Sequence, residues 1–350
     1  MATERPSKII IAIDSFKGCL SSAEANQAAA VGIKFCMPDA EIIQIPVSDG
    51  GEGWLDAFQA AFGGELVEVK VHDPLMRSIV APYLIKGDTA VIEIAKASGL
   101  TLLSEKERNP MTATSYGTGQ LVADAVRRGC RHIIVGLGGS ATSDCGKGML
   151  EAMHNAHDIM LKDVRFTIAT DVKNPLCGKN GAAHVFAPQK GATPEMVEEL
   201  DRQAKEFAEE SARHFGYDLQ NMPGAGAAGG LGYAFMQYLG AECKSGIELL
   251  LDIAKFDEKL HGAQLVITGE GSADSQTLMG KLPMGILQRA KQQDIPTMLI
   301  AGRIKNRQQL LDAGFSQVEC INPSDLPLEE AMNPERAKSN ISETVTNFFI

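Results

Sequence analysis

Short apolar runs rich in β-branched residues alternate with longer amphipathic stretches along almost the whole chain. This alternation is typical of βα units arranged around a mainly parallel sheet, and it predicts an α/β fold. The predicted strands are residues 8–13, 41–47, 66–71, 81–85, 90–94, 132–136, 164–169, 183–186, 264–268 and 297–301. The clearest predicted helices are residues 22–35, 53–61, 117–128 and 194–215, with a further helix starting at Tyr233.

The length of the chain bears on its domain organisation. Because 350 residues are many for a single hydrophobic core, we expect two α/β domains with room for a cleft between them. The two strands predicted near the C-terminus are expected to return to the first sheet. We therefore predict a discontinuous Rossmann/flavodoxin-like domain of residues 1–66 and 264–350, and a second α/β domain of residues 67–263.

Composition excludes several classes of function. The formal net charge is −11, and no cluster of Lys and Arg is visible, so nucleic acid is not the expected partner. The seven cysteines are scattered and include no Cys-x-x-Cys pair, which argues against a disulfide framework and a zinc site. The first apolar run ends at Asp14 and is too short for a signal peptide or a membrane span. We expect a cytoplasmic protein without a membrane partner.

The loop after the strand at 132–136 reads GLGGSATSDCGKG. Glycine-rich turns between a strand and a helix present backbone N–H groups to phosphate. The loop is not a Walker motif, because Gly148 and Ala141 stand where that motif needs Ser or Thr and glycine. The segment Gly136–Ala141 does satisfy the loose dinucleotide pattern, although the next acidic candidate, Asp171, lies too far along the chain. A tight turn that only packs a helix on the sheet is the structural alternative.

Carboxylates occupy a second group of loops. Most of them stand at or just beyond the end of an apolar strand, where open α/β sheets bind their ligands. Together they suit a magnesium ion that bridges substrate phosphates, or a general base for a hydroxyl group. Any single one could instead be a helix cap or a turn residue. The residues are Asp14, Asp49, Glu52, Asp171, Glu270 and Asp274.

Three lysines beside these loops could balance the charge of phosphate groups: Lys17, Lys190 and Lys281. An ordinary surface position is the alternative for each of them. The stretch PGAGAAGGLG, which contains Gly226, either approaches a nucleotide or packs a helix closely against its neighbour.

Several of these motifs, taken in order, resemble those of the bacterial glycerate kinase family. They are IDSFKGCLS, IPVSDGGEG, EIAKASGL, GLGGSATSDCGKGML, TDVKNPLCGKNGAA, FAPQKGATPEMV, PGAGAAGGLG, LVITGEG and GKLPMGI, and they extend from Asp14 to about Gly302. The resemblance implies ATP-dependent phosphorylation of D-glycerate, usually at the 2-hydroxyl, with magnesium as cofactor. It also implies two α/β domains with the active site between them, the first built from both ends of the chain.

The sequence departs from the family pattern in two places. The usual GEGRID is here GEGSAD, residues 269–274, so its arginine is missing while Asp274 remains. The chain is also shorter than typical members between Met160 and Val164.

Residue roles follow from the chemistry of the loops. We expect Asp49 or Asp171 to orient or deprotonate the substrate hydroxyl, and Glu270 with Asp274 to hold magnesium. Lysines 17, 190 and 281 would offset phosphate charge, with Lys281 and Gly226 near the nucleotide. The loop residues Gly138, Gly139, Ser140 and Thr142 would cradle one anionic group, either a nucleotide phosphate or the substrate carboxylate.

Three other functions stay open at this point. They are a dinucleotide-dependent oxidoreductase that uses Gly136–Ala141, a binding protein without turnover, and a kinase that acts on a related small hydroxy acid.

Overall fold

The computed structural model describes residues 6–48, 50–51, 53–275 and 277–350. The chain divides into two compact units. The first unit contains Met1–Ser48, Asp56–Phe62 and Ile247–Ile350, and the second contains Asp49–Leu55 and Gly63–Gly246. Within the described ranges, no helix is both long and apolar enough to span a lipid bilayer.

Strands and helices alternate through most of the chain. The strands are β1 (Lys8–Ile13), β2 (Glu41–Gln44), β3 (Glu65–His72), β4 (Ser78–Lys86), β5 (Thr89–Glu93), β6 (His132–Gly136), β7 (Arg165–Ala169), β8 (Glu242–Lys244), β9 (Leu265–Glu270), β10 (Thr297–Ala301) and β11 (Gln317–Cys320). The helices are α1 (Ser22–Cys36), α2 (Trp54–Phe62), α3 (Ala95–Ser98), α4 (Tyr116–Arg127), α5 (Lys147–Asn155), α6 (Ala182–Phe186), α7 (Pro194–Phe215), α8 (Leu231–Leu239), α9 (Gly246–Ile253), α10 (Phe256–Leu260), α11 (Leu282–Lys291), α12 (Arg307–Ala313), α13 (Leu328–Ala331) and α14 (Pro334–Phe349).

The sheet of the first unit has the strand order β11-β10-β9-β1-β2, and all of its pairs are parallel. Renumbered within the unit, this is the order 2-1-3-4-5 of flavodoxin-like folds, which confirms the predicted fold class. Strands β1 and β9 are neighbours in the sheet. The strand that follows β1 in the chain, β2, and the strand that follows β9, β10, lie on opposite sides of this pair. The carboxyl ends of β1 and β9 therefore form the topological switch point, where such sheets bind ligands.

Alternate side chains of the first sheet enter two apolar layers. Ile9, Ile11 and Ile13 pack in one layer with residues of α1 and α14, while Leu299 and Ala301 pack in the other with residues of α11 and α12. A strand with both faces covered carries a continuous apolar run, as β1 does with KIIIAI. The helix α1 begins at a capping box formed by Ser21 and Glu24.

The sheet of the second unit has the order β3-β4-β5-β6-β7-β8. Strands β3, β4 and β5 pair antiparallel, and β5 to β8 pair parallel. Its core contains the fully buried Tyr83, Ile92, Val135 and Phe235. Both sheets together are mainly parallel, as the alternation of the sequence predicts.

One predicted strand is wrong. Residues 183–186 lie in helix α6, whose Ala183 packs with Val197 and Leu200 of α7. A short apolar segment does not distinguish a strand from a helix by its periodicity, and the alanines here favour a helix. The neighbouring helix α7 does begin as predicted, with Thr193 accepting a hydrogen bond from Met196 N and Pro194 in the first turn.

Candidate active site

In the second unit, the glycine-rich loop and the Asp171 loop leave the same edge of the sheet. Strands β6 and β7 are parallel neighbours with Gly136 opposite Ala169, so Gly138 and Asp171 each lie two residues beyond a paired strand end. Gly138 N donates to Gly50 O, and a Cβ atom at Gly138 would overlap the backbone of residues 50 and 51. Only glycine allows this close approach.

Backbone contacts fix the glycine-rich loop on both sides. Leu100 N donates to Gly139 O and Ala141 N donates to Ser98 O, while Cys145 N donates to Gly229 O. Gly139 has a left-handed conformation with φ 74°. A Cβ atom at Gly229 would overlap Thr142 O, so the stretch PGAGAAGGLG packs directly against this loop.

Asp144 holds the end of the loop, and sequence reasoning missed it. Its carboxylate accepts hydrogen bonds from Ser115 N, Ser115 Oγ, Gly146 N and Gly148 N, at 2.8 to 3.2 Å. An aspartate followed by glycines at the second and fourth positions is the sequence signal that could have revealed it. These bonds join the loop to the start of α4 and α5.

Lys190 is brought into the same loop. Its side chain is buried, and its Nζ donates to Ser140 Oγ at 2.9 Å and to Thr142 O at 2.6 Å. Burial lowers the pKa of Lys190 to about 7, and the nearby Asp144 carboxylate opposes that shift. A buried amine titrating near neutrality is a frequent mark of a functional site.

The other predicted residues of this unit lie further along the same edge. Asp171 is half-buried and follows β7. Gly226 N donates to Asn174 O, and a Cβ atom there would overlap Pro175 O, so Gly226 packs against the loop that follows Asp171. Asp49, the other candidate base, lies outside the described residues, as does Glu52.

In the first unit, four predicted residues gather at the switch point. Glu270 ends β9, is buried, and lies with its Oε2 atom 3.9 Å from Lys281 Nζ. Burial raises the pKa of Glu270, the Thr277 hydrogen bond and Lys281 lower it, Asp274 raises it and Lys17 lowers it, so that the pKa is raised on balance. Two carboxylates and two lysines therefore interact at the carboxyl ends of β1 and β9.

Thr277 connects the two carboxylates, and it was also missed. Its Oγ1 donates to Glu270 Oε1 at 2.6 Å and accepts from Asp274 N at 3.0 Å. Asp14 lies beside them, because its N–H donates to Gly269 O. In residues 269–274, the segment that differs from the family pattern, Ala273 is fully buried and forms a parallel β-bridge with Ile304.

The carboxylates at the switch point can be compared with the ligands that a magnesium ion needs. Within the described ranges, no group of three or more His, Cys, Asp or Glu residues is placed to hold a metal ion. Magnesium bound with substrate phosphates needs only one or two protein carboxylates, since water and phosphate oxygens complete its coordination. The pair Glu270 and Asp274 fits an open magnesium site of that kind. The described residues do not form a closed protein cage around a metal ion.

Polar residues thus follow strand ends in two α/β units, one of them with a flavodoxin-like sheet. This arrangement is typical of α/β enzymes that act on small molecules. Comparison with known proteins is more specific. The sequence model of the glycerate kinase family matches residues 9–158 and 153–349. The chain belongs to the glycerate kinase family.

Individual relatives match along nearly their whole length. The Glycerate 2-kinase of Escherichia coli K12 is 41% identical, covering 97% of this chain and 98% of its own. The Glycerate kinase of Bacillus subtilis 168 is 40% identical, covering 93% and 92%. A crystal structure from Salmonella typhimurium LT2, of a candidate glycerate kinase 2, superposes with a TM-score of 0.82 at 38% identity and covers 99% and 98% of the two chains.

Proposed function

We propose that this protein transfers the γ-phosphoryl group of ATP to the 2-hydroxyl group of D-glycerate, giving 2-phosphoglycerate. The observation that carries the proposal is the near-complete alignment, at about 40% identity, with proteins named glycerate kinase. The name of the Escherichia coli relative supports the 2-hydroxyl as acceptor. The dinucleotide-dependent alternative is supported only by the loose pattern of Gly136–Ala141, whose next acidic candidate, Asp171, lies too far along the chain.

Phosphoryl transfer depends mainly on positioning and on stabilisation of charge. Glu270 and Asp274 would hold magnesium, which neutralises charge on the phosphates when it is bound. Lys281 Nζ lies 3.9 Å from Glu270 Oε2, and Lys17 also interacts with that carboxylate. We therefore expect both lysines to contact phosphate oxygens close to such an ion. Thr277 keeps the Glu270 carboxylate oriented through its 2.6 Å hydrogen bond.

The acceptor hydroxyl must lose its proton during the transfer. Asp171 and Asp49 are the proposed residues that orient the hydroxyl or take this proton. Asp171 lies at the same sheet edge as the glycine-rich loop, which with Lys190 provides donors for an anionic group. The loop residues Gly138 to Thr142 form the rest of this proposed binding surface, and Gly226 is proposed to lie near the nucleotide.

The proposal is tested by incubating the protein with ATP, magnesium chloride and D-glycerate while ADP release is followed. We expect turnover in the range of 1–100 per second that is common for kinases. Glu270→Gln should reduce kcat by about 100-fold or more, because one carboxylate near the phosphates is lost. The exposed Glu330→Gln is the matched control and should match the wild type. Absence of ADP release from the wild type would show that the proposal is wrong.

A further inference from the structure

The glycine-rich loop presents several hydrogen-bond donors that have no acceptor. Within the described part of the chain, the amides of residues 139, 140, 142 and 143 donate no hydrogen bond. The hydroxyl groups of Thr142 and Ser143 are buried and also lack a partner. Unsatisfied buried polar groups are rare in proteins, and each needs an explanation such as an absent ligand.

Lys190 adds an unbalanced charge to the same loop. The side chain is only 2% exposed, and its ammonium group contacts two neutral oxygens, Ser140 Oγ and Thr142 O. Among the residues that the structure describes, it forms no ion pair. An ammonium group has three donors, so one is left after these two contacts. A buried charge is normally paired, whereas the one described carboxylate that influences Lys190, that of Asp144, forms no ion pair with it.

We propose that this cluster, consisting of Lys190 and the loop residues 139–143, binds the carboxylate of the 2-hydroxy acid substrate. The proposal rests on the proposed function and names what that function leaves open, namely which anion the glycine-rich loop takes. It makes Lys190, Thr142 and Ser143 the residues that select an acid over a neutral polyol or amide of the same size.

Charge and size favour a carboxylate over a nucleotide phosphate. A carboxylate carries one negative charge, which matches the single charge of Lys190, and a matched pair avoids leaving uncompensated charge in a buried site. A carboxylate has only two oxygens, and the donors of one short loop can satisfy both. The stretch that contains Gly229 packs directly against Thr142, which limits the space at the loop. The lysines at the switch point, Lys17 and Lys281, lie with carboxylates that suit magnesium and polyphosphate instead.

The first test separates the two anions by steady-state kinetics. Lys190→Met should raise KM for D-glycerate by about 30-fold or more, since one partner of a buried charge pair is removed. KM for ATP should stay within about twofold. The neutral analogue 2,3-dihydroxypropanamide should be a poor substrate of the wild type, and Lys190→Met should discriminate far less between acid and amide. The exposed Lys162→Met is the matched control.

A second variant covers the case in which Lys190→Met does not fold. Thr142→Val removes a hydroxyl that bonds to nothing, so the melting temperature should not fall, yet KM for D-glycerate should rise about tenfold. Thr297→Val, a buried threonine at the start of β10, is the control and should leave that KM unchanged. If the variants raise KM for ATP instead, the loop binds the nucleotide and the carboxylate proposal is wrong.

Failure of the proposal and failure of the proposed function can be told apart by calorimetry with D-glycerate alone. In one outcome, the wild type binds D-glycerate but releases no ADP, and Lys190→Met does not bind D-glycerate. This result would support the carboxylate site and refute the kinase activity. ADP release from a protein whose D-glycerate affinity is unchanged by Lys190→Met would support the activity and refute the carboxylate site.

Discussion

Burial of Lys190 should make the second unit more stable at alkaline pH. The folded protein holds the proton of this amine with a pKa of about 7, whereas the unfolded chain holds it with the ordinary value of 10.5. Between these values the unfolded chain binds more protons, so the free energy of unfolding rises with pH. From about pH 7 to about pH 9 the increase attributable to Lys190 is about 2 kcal/mol, at 1.36 kcal/mol per pKa unit.

The single tryptophan provides the assay. Trp54 is fully buried in the second unit, so its fluorescence during urea titration reports unfolding of that unit. The free energy of unfolding would be measured near pH 7 and near pH 9 for the wild type, Lys190→Met and the exposed control Lys162→Met. The wild type and the control should gain about 2 kcal/mol more than Lys190→Met over this interval. An equal gain in all three proteins would refute the assignment of a buried, weakly basic amine.

Three further predictions concern the loops. Asp144→Ala should lower the free energy of unfolding by about 3 kcal/mol or more in urea titration, because four donors lose their acceptor, whereas the exposed Asp163→Ala should change it little. Gly229→Ala should lower the melting temperature much more than Gly216→Ala, because both glycines have positive φ but only Gly229 has a backbone atom in the way; equal losses would contradict the close packing. Thr277→Val should raise the magnesium concentration needed for half-maximal ADP release by several-fold, because Glu270 loses its 2.6 Å hydrogen bond, and an unchanged requirement would contradict that role.

Much of the fold was predictable because its signals are local. The run KIIIAI at β1 and the capping residues Ser21 and Thr193 each depend on near neighbours in sequence. Segments without a distinct local pattern were harder. Residues 183–186 form a helix because Ala183 packs on α7, a contact that their own periodicity does not indicate. The short strands β8 and β11 were missed for a similar reason, since β8 has only three residues and depends on pairing with β7.

The types of residue in the candidate site were predictable from the sequence, but the contacts between their side chains were not. Placement after strands pointed to Glu270, and the structure adds that Thr277 and Lys281 contact it. The sequence could not indicate that Lys190 is buried in the loop of Ser140, because the two are far apart along the chain and meet only through tertiary packing. Three-dimensional packing is also what leaves the Thr142 hydroxyl without a partner.

The position at which D-glycerate is phosphorylated can be read from the product. The protein would be incubated with ATP, magnesium chloride and D-glycerate, and the phosphorylated product would be analysed by phosphorus NMR with coupling to carbon-bound protons. A phosphate coupled to the single proton of carbon 2 is the predicted result, because it identifies 2-phosphoglycerate. Coupling to the two protons of carbon 3 would identify 3-phosphoglycerate and contradict the proposed acceptor, and the absence of any phosphorylated acid would contradict glycerate kinase activity itself.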